Sequence, residues 1–138
     1  MIALDHAGLT VEDLDGAAAF YARAFGFVAE FPFELGVDGI RGVMLKHPEG
    51  ARLELFSRPG ADGGAQRGRT PIETIAFRGY GHFALTVPAT RLDDVYAGAV
   101  RAGAVERVSP RPSPEPGIRF AFVADPEGNL IELVGRPA

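Results

Sequence analysis

The 138-residue sequence contains no cysteine. Disulfide bonds, thiol nucleophiles and thiolate metal ligands are therefore excluded. A metal ion could be held only by histidine, aspartate or glutamate, and the chain has only 3 histidines. No apolar run approaches the roughly 20 residues needed to cross a bilayer, and no charged segment followed by an apolar stretch opens the chain. We therefore expect a cytoplasmic protein that does not contact a membrane.

A strong charge of either sign is also lacking. The 18 acidic residues exceed the 14 Lys and Arg residues by four, which gives a formal net charge of -4. This charge is too small to build a field that attracts nucleic acid, so a small-molecule partner fits better. Hydrophobic residues make up 46% of the chain, enough for the core of one compact domain.

The sequence contains an internal repeat. Residues 39–55 align without a gap with residues 117–133, and 8 of the 17 aligned residues are identical. A second match lies upstream, where His6 and His82 each stand three residues before a Leu-Thr-Val triplet. The chain is therefore predicted to be a tandem duplication.

Each half is predicted to contain a strand, a helix and three further strands. In the first half Asp13 can cap a helix with apolar residues at helical spacing, and Gly26 can end it. The second helix is predicted between Thr90 and Gly103. The remaining strands are expected at residues 27–33, 40–46 and 52–56, and again near 105, at 118–123 and at 130–134. The fold class is thus predicted to be α+β, with two tandem βαβββ modules.

Two irregular stretches interrupt this pattern. Residues 58–75 are rich in Gly and Arg and are predicted to link the repeats, which span about 1–57 and 76–138. Residues 106–117 carry four prolines at alternate positions and are predicted to be an extended loop. Each half has about 60 residues, too few for a secure core alone. We therefore expect both halves to form a single domain over residues 1–138.

Strand alternation places one histidine of each half on a face without bulky residues. His6, Gly8 and Thr10 share one face of the first strand, and His82 is followed by small residues at the same positions. The large apolar residues fall on the opposite face, where they can pack under a helix. The face that carries each histidine could therefore line a pocket.

One glutamate in each half also points away from the predicted core. Glu54 and Glu132 each stand between two apolar residues in the last strand of a half. Two imidazoles and two carboxylates make a donor set suited to one divalent Ni, Co, Zn, Mn or Fe ion. His6, Glu54, His82 and Glu132 are therefore predicted metal ligands; the alternative is a polar cleft without a metal.

Other polar residues carry weaker signals. His47 aligns with Asp125 of the second repeat and precedes a Pro-Glu-Gly sequence, so a role in a turn is predicted. Arg41 and Arg119 occupy duplicated positions, and one of them could reach an anionic group of a substrate. The alternative is that both are ordinary surface residues of an arginine-rich chain.

Taken together, these residues resemble the vicinal oxygen chelate superfamily, which includes glyoxalase I, methylmalonyl-CoA epimerase, extradiol dioxygenases, and fosfomycin and bleomycin resistance proteins. The motifs that carry the resemblance span nearly the whole chain: Asp5-His6, Phe20-Tyr21, Phe25-Gly26-Phe27, Gly81-His82-Phe83-Ala84, and residues 125–133. The resemblance implies paired βαβββ modules that form a curved mixed sheet around a metal-binding cleft. It also implies a homodimer whose site lies within one chain or across two. The four predicted ligands match the metal-ligand positions of the family.

The number of ligands distinguishes the reactions of the family. Four protein ligands on an octahedral ion leave two positions for adjacent substrate oxygens, whereas three leave room for a catecholate and O2. Glu54 as a fourth ligand favours a glyoxalase-like lyase or isomerase, in which Glu132 or Glu54 removes a proton and the metal stabilises the enediolate. The alternatives are an extradiol-type dioxygenase with a His/His/Glu site and a non-catalytic drug-binding protein of the bleomycin-resistance type.

One position departs from glyoxalase I. That family commonly carries an arginine four residues after the first ligand, where it engages glutathione, and this chain has Thr10 there. Glutathione is therefore not implied as part of the substrate. Thr10, Arg41 and Arg119 are the candidate substrate-binding residues.

Overall fold

The structure, a computed structural model, describes residues 1–64 and 68–138; residues 65–67 of the predicted linker lie outside the described residues. The chain divides into two compact units, Met1–Gly63 and Gly64–Ala138. The division falls inside the Gly- and Arg-rich segment that separates the two repeats.

The first unit contains one helix and one four-stranded sheet. Its elements are β1 (Ala7–Thr10), α1 (Leu14–Phe25), β2 (Val28–Glu34), β3 (Arg41–Lys46) and β4 (Arg52–Ser57). The strand order is β1-β4-β3-β2; β1 runs parallel to β4, and the other pairs are antiparallel. The unit is therefore a βαβββ module with a mixed sheet.

The second unit repeats this order and adds one short helix. Its elements are α2 (Pro71–Ile75), β5 (His82–Pro88), α3 (Leu92–Arg101), β6 (Val105–Pro112), β7 (Arg119–Ala124) and β8 (Leu130–Arg136). The strand order is β5-β8-β7-β6, and β5 runs parallel to β8. The predicted α+β fold class with two βαβββ modules is confirmed.

Helix α1 has the predicted ends. The Asp13 carboxylate accepts a hydrogen bond from the backbone N–H of Gly16 at 2.9 Å, which satisfies a donor of the first turn. Gly26 ends the helix at φ 80°, a left-handed conformation that glycine adopts without steric cost. Within the helix, Phe20 and Tyr21 are completely buried and meet edge to face.

In each sheet one set of alternating apolar residues packs under the helix, while the middle strands β3 and β7 bury residues on both of their faces. Leu53 and Leu55 of β4 are buried with Val43 and Leu45 of β3, on the face that α1 covers. The second unit buries its corresponding residues on the face that α3 covers: Ala121, Val123, Ile131 and Leu133. The opposite face of each sheet carries Glu54 or Glu132, each paired across the sheet with a buried apolar residue, Met44 or Phe122.

The start of the second helix differs slightly from the prediction. Residues Ala89–Arg91 form a single 3-10 turn before α3, so Thr90 lies within this turn. Arg91 is the residue that precedes the α-helix, and it provides no side-chain cap.

The prediction that residues 58–75 form only a linker is wrong for residues 71–75, which form α2. The helix begins with a capping box: Thr70 Oγ1 accepts from the Glu73 N–H at 3.2 Å, and Glu73 Oε2 accepts from the Thr70 N–H at 3.1 Å. Pro71 occupies the first helical position, where its missing N–H costs nothing.

The prediction of a loop over residues 106–117 is wrong for residues 106–112, which belong to β6. β6 is an edge strand and pairs only with β7 in its sheet. An edge strand tolerates proline because only one of its sides needs hydrogen-bond donors. The pairing with β7 also shifts register twice, between Glu106 and Val108 and between Val108 and Arg111.

An ion pair links the hairpin loop of each unit to an arginine at or just after the end of its last strand. Arg58 donates to Asp38 at 2.9 Å in the first unit, and Arg136 donates to Glu115 at 2.5 Å in the second. The two halves therefore share this ion pair, although the acidic partner is an aspartate in one and a glutamate in the other. Among the helices of the described residues, none has the length and apolar character needed to span a membrane.

Candidate functional site

The first unit brings two of the predicted ligands together. His6 immediately precedes β1, and the parallel pairing of β1 with β4 places Gly8 opposite Glu54. His6 Nε2 lies 3.5 Å from Glu54 Oε1, and 34% and 24% of the two side chains are exposed. The two groups are therefore half-buried neighbours on the sheet face that α1 does not cover.

The second unit forms the equivalent pair. β5 pairs with β8 in the same parallel arrangement, which places Ala84 opposite Glu132. His82 Nε2 lies 3.1 Å from Glu132 Oε2, within hydrogen-bond distance. The His82 ring also meets the edge of the Phe122 ring, with the centroids 4.9 Å apart.

These separations fit two neighbouring ligands of one metal ion. Adjacent ligands of an octahedral ion, each about 2.1 Å from it, lie roughly 3 Å apart. Both pairs join an imidazole nitrogen to a carboxylate oxygen, the donor types that divalent transition metals accept. Neither unit, in its described residues, gathers three or more His, Asp or Glu side chains into a group that could hold a metal ion. Each unit thus offers two ligands.

A network of charged residues adjoins the first pair. Asp5 Oδ2 lies 2.7 Å from His6 Nδ1 and accepts a hydrogen bond from Arg52 Nη1 at 3.1 Å. Arg52 also donates through Nε and Nη2 to Glu30 Oε2, at 3.2 and 3.0 Å. Both nitrogens of the His6 ring therefore face carboxylate oxygens.

The network shifts the pKa of two of its members. The hydrogen bond with Asp5, aided by the negative charge of Glu54, raises the pKa of His6 above its ordinary value. The same hydrogen bond, with the positive charge of Arg52, lowers the pKa of Asp5. Asp5 is therefore an ionised acceptor at neutral pH.

The second unit has no carboxylate before its histidine, because Gly81 precedes His82. A Cβ atom added at Gly81 would lie 2.9 Å from Cγ2 of Thr74, the last residue but one of α2. Real Cβ atoms essentially never make so short a contact, and Thr74 is buried. The packing of α2 therefore disfavours any side chain at position 81.

Aromatic rings line the face beside the His6 pair. The rings of Phe33 and Phe56 meet edge to face at 5.6 Å, and Phe31 lies 6.1 Å from Phe33. Phe33 lies over Gly42, where an added Cβ would come within 2.2 Å of the ring. The absence of a side chain at residue 42 thus makes room for an aromatic surface.

A cavity of about 630 Å³ opens along this face. Thr10, Phe56 and Ile40 line it, and Arg58 lies at its wall. Thr10 pairs with Phe56 in the sheet, two residues along β1 from the Gly8–Glu54 register. At roughly 3.3 Å per residue, this part of the cavity begins about 7 Å along the strands from Glu54 and about 13 Å from His6.

The second unit has a related apolar face. Phe122 and Phe120 meet edge to face at 5.9 Å, and Val108 packs against the same cluster. Phe122 lies opposite Glu132 in the pairing of β7 with β8. Each His–Glu pair therefore borders apolar surface.

Two of the candidate substrate-binding residues lie elsewhere. Arg41 lies on the same face of β3 as Val43, and Arg119 lies on the same face of β7 as Ala121. Both arginines therefore belong to the helix side of their sheet. Arg119 makes a bidentate ion pair with Asp93 of α3, at 2.7 and 3.1 Å, which lowers the pKa of Asp93. The structure does not bring these arginines to the His–Glu pairs. Thr10 alone among the three candidates stands on that face.

His47 takes part in a turn, as its position in the repeat indicates. Its Nδ1 accepts a hydrogen bond from the Glu49 N–H at 3.1 Å, and its ring packs against Phe27. Its counterpart Asp125 stabilises the equivalent turn, because its carboxylate accepts hydrogen bonds from the backbone N–H groups of Glu127 and Asn129.

Sequence reasoning did not assign a role to Asp5, Arg52 or Phe122. The contact of Asp5 with His6 could have been suspected from their adjacency, and the shared parity of Arg52 and Glu54 from strand alternation. No pattern in the sequence indicates that Arg52 bridges Asp5 and Glu30, because these residues lie on three separate segments.

Comparison with solved structures gives the same fold. A glyoxalase family protein from Bacillus cereus is 20% identical with a TM-score of 0.79, and the match covers 100% of this chain and 96% of that one. A fosfomycin resistance protein from Listeria monocytogenes is 19% identical with a TM-score of 0.69, covering 100% and 94%. Glyoxalase I from Zea mays is 23% identical with a TM-score of 0.74, and the match covers 97% of this chain but 44% of the maize chain.

No curated protein sequence gives a significant match. The family model of the Glyoxalase/Bleomycin resistance protein/Dioxygenase superfamily, however, matches residues 3–133. This match takes in both βαβββ modules and all four residues of the two His–Glu pairs. The chain therefore belongs to the Glyoxalase/Bleomycin resistance protein/Dioxygenase superfamily.

Proposed function

We propose that this protein is a metal-dependent lyase or isomerase of the glyoxalase type, acting on a small substrate with two adjacent oxygens. One divalent ion of Ni, Co, Zn, Mn or Fe is held by His6, Glu54, His82 and Glu132. The protein acts as a homodimer. The observation that carries the proposal is the repetition of a half-buried His–Glu pair, with N···O separations of 3.5 and 3.1 Å, at equivalent strand positions.

The chemistry requires a Lewis acid and a base. A divalent ion in this donor set supplies Lewis acidity to adjacent substrate oxygens. Glu54 or Glu132 takes the proton from the carbon next to the carbonyl and returns it to the neighbouring carbon, so the substrate is isomerised with no net change of atoms. Both carboxylates are three-quarters buried, which limits the access of bulk water to them.

The cavity of the first unit supplies the substrate contacts in this proposal. Phe56 and Ile40 can pack against an apolar part of the substrate, and the Thr10 hydroxyl can donate to or accept from an oxygen. Arg119 is not among the proposed substrate-binding residues, because its guanidinium group donates two hydrogen bonds to Asp93.

Metal analysis of the protein as isolated, followed by assays of the metal-loaded protein, tests the proposal. We expect one divalent ion per site, and turnover of a hemithioacetal or of an acyl-CoA epimer. Oxygen consumption with catechols under Fe(II) would instead indicate the dioxygenase. Saturable binding of a drug without any product would indicate a binding protein.

A matched pair of histidine variants sharpens this test. His82→Ala removes a proposed ligand, so bound metal should be lost under conditions that saturate the wild-type protein. His47→Ala removes a histidine that lies in a turn, and metal content should stay unchanged. Equal metal content in both variants would contradict the proposed ligand set.

A further inference from the structure

We infer that Asp5 is a positioning residue that holds the hydrogen of the His6 ring on Nδ1 and so leaves Nε2 free to bind a metal ion. The inference rests on the proposed metal site and adds a residue outside its four ligands. It also makes the two halves of that site unequal.

The geometry around His6 determines which nitrogen carries the hydrogen. A neutral imidazole has one N–H donor and one acceptor nitrogen, and an ionised carboxylate only accepts. Asp5 Oδ2 lies 2.7 Å from Nδ1, the shorter of the two contacts, so Nδ1 is the donor. Nε2 then presents its lone pair.

That lone pair faces a second acceptor. Glu54 Oε1 lies 3.5 Å from Nε2, too far for a normal hydrogen bond. Two acceptors that face each other without a hydrogen between them are stabilised by a cation that both can bind. Hydrogen bonding of a ligand histidine to a carboxylate through its other nitrogen is a common way to orient metal ligands.

Asp5 is itself held in place. Its Oδ2 accepts from Arg52, and Arg52 is fixed in turn by two hydrogen bonds to Glu30. Three quarters of the Arg52 side chain is buried, so its position is determined by packing as well as by charge. The carboxylate therefore meets the imidazole in one orientation although much of Asp5 is exposed.

His82 has the opposite arrangement. Gly81 offers no carboxylate to its Nδ1, whereas Nε2 lies within hydrogen-bond distance of Glu132 at 3.1 Å. Without metal, the hydrogen of a neutral His82 lies on Nε2, where it can be donated to Glu132. The two histidines of the metal-free protein should therefore adopt opposite tautomers.

Long-range 1H–15N correlation spectra of the metal-free, 15N-labelled protein test this directly, at a pH where the rings are neutral. We expect the Nδ1–H pattern for His6 and the Nε2–H pattern for His82. In Asp5→Ala, His6 should move to the Nε2–H pattern while the His82 and His47 signals stay unchanged, which also reports that the variant is folded. Asp5→Asn keeps an oxygen that can accept from Nδ1, so it should preserve more of the wild-type pattern.

Calorimetric titration with Zn²⁺ alone measures the consequence for binding. We expect Asp5→Ala to weaken Zn²⁺ binding by roughly 10- to 100-fold, and Asp5→Asn to weaken it less. Asp38→Asn is the matched control, because Asp38 is also a carboxylate of the first unit paired with an arginine but touches neither histidine. Its Zn²⁺ affinity should equal that of the wild type.

The outcomes separate this inference from the proposed function. An Nε2–H pattern for His6 in the wild type, or unchanged tautomer and Zn²⁺ affinity in Asp5→Ala, overturns the role of Asp5. A wild-type protein that binds no divalent ion, yet shows the tautomer change in Asp5→Ala, upholds the role of Asp5 in holding His6 and overturns the proposed function.

Discussion

Among single residues, Glu54 and Glu132 are the two proposed ligands of which one also has to act as the base. Both are three-quarters buried beside an imidazole, and the proposed reaction needs one of them as the base. Glu54 stands next to the charged network of Asp5 and Arg52, whereas Glu132 stands next to Phe122. Each carboxylate therefore lies beside a histidine, but Glu54 has a charged residue network nearby and Glu132 has an aromatic ring.

We expect Glu54→Gln and Glu132→Gln to separate these roles. Replacing the base removes the proton acceptor, so kcat should fall by roughly 100-fold or more while part of the metal is retained. Replacing the glutamate that acts only as a ligand should chiefly weaken metal binding. Metal content and kcat, measured on both variants, check this; two variants with full metal and full kcat would contradict the assignment of either residue.

The sequence could predict the two His–Glu pairs because duplication and strand alternation are both visible in it. The contact of His6 with Glu54 follows once β1 lies beside β4, and the repeat doubles the evidence. The network around His6 could not be predicted. It depends on the exact reach of Arg52 toward two carboxylates on other segments, and such side-chain contacts leave no periodic pattern in a sequence.

For the helices, the cap of α1 offers a direct test of how the first unit is stabilised. Asp13→Ala removes the acceptor of the Gly16 N–H, so we expect a loss of about 1 kcal/mol in the free energy of unfolding. Asp15→Ala is the control, because it removes a charge from the same first turn without breaking the cap. Urea unfolding curves check the difference; equal destabilisation would mean that charge, and not the cap, stabilises the helix end.

The ion pair between β7 and α3 makes stability depend on pH. Arg119 lowers the pKa of Asp93 in the folded protein, so ionised Asp93 contributes stability above its unfolded pKa. This contribution is lost as the pH falls through the lowered, folded-state pKa. Thermal unfolding of Asp93→Asn should therefore show a lower Tm than the wild type near neutral pH, and the two should converge in strong acid.

The control for this prediction lies one residue away. Asp94→Asn removes the same charge from the same turn of α3 but leaves the Arg119 pair intact. It should lower the Tm near neutral pH by less than Asp93→Asn. A constant Tm difference between wild type and Asp93→Asn across the acid range would show that the ion pair is not the cause.

Elements with strong periodic patterns were predictable, whereas α2 was missed and β6 was predicted only near its start. The signal for α2 was present in the sequence, since Thr70 and Glu73 have the spacing of a capping box and Pro71 suits the first helical position, but five residues show no helical periodicity. Beyond its predicted start near residue 105, β6 was missed because alternating prolines indicate a loop. Whether a proline-rich segment can be an edge strand depends on its partner, and β7 supplies that partner only in the folded unit.

At the level of the whole chain, the fold is established and the reaction is not a property of the fold. Members of one superfamily share architecture while their sites perform different chemistry. Specificity has to come from residues that the repeat does not dictate. In the first unit these include the rings of Phe31, Phe33 and Phe56 and the wall of the cavity beside Thr10.

We propose that the two βαβββ modules form one cooperative domain, and a pair of core variants tests this. Leu55 and Leu133 occupy equivalent central positions and are fully buried. Replacing either by alanine should cost about 2–5 kcal/mol. If the modules fold as one domain, both variants shift a single unfolding transition that hydrogen exchange detects in peptides from both halves.

Independent modules would behave differently. Leu55→Ala would then accelerate exchange only in peptides of the first unit, and Leu133→Ala only in those of the second. Two separate transitions of this kind would contradict the single domain that the small size of each half leads us to expect.

The close contact between position 81 and Thr74 has a consequence for how the two copies could diverge. After a duplication, identical halves can exchange or regain each other's features by single mutations, provided the framework accepts them. In the second half, an aspartate at position 81 would place its Cβ 2.9 Å from Cγ2 of Thr74, so Thr74 of α2, a helix without counterpart in the first unit, would have to shift to admit it. The packing of the short helix thus favours glycine before His82 and helps to preserve the difference between the two histidines.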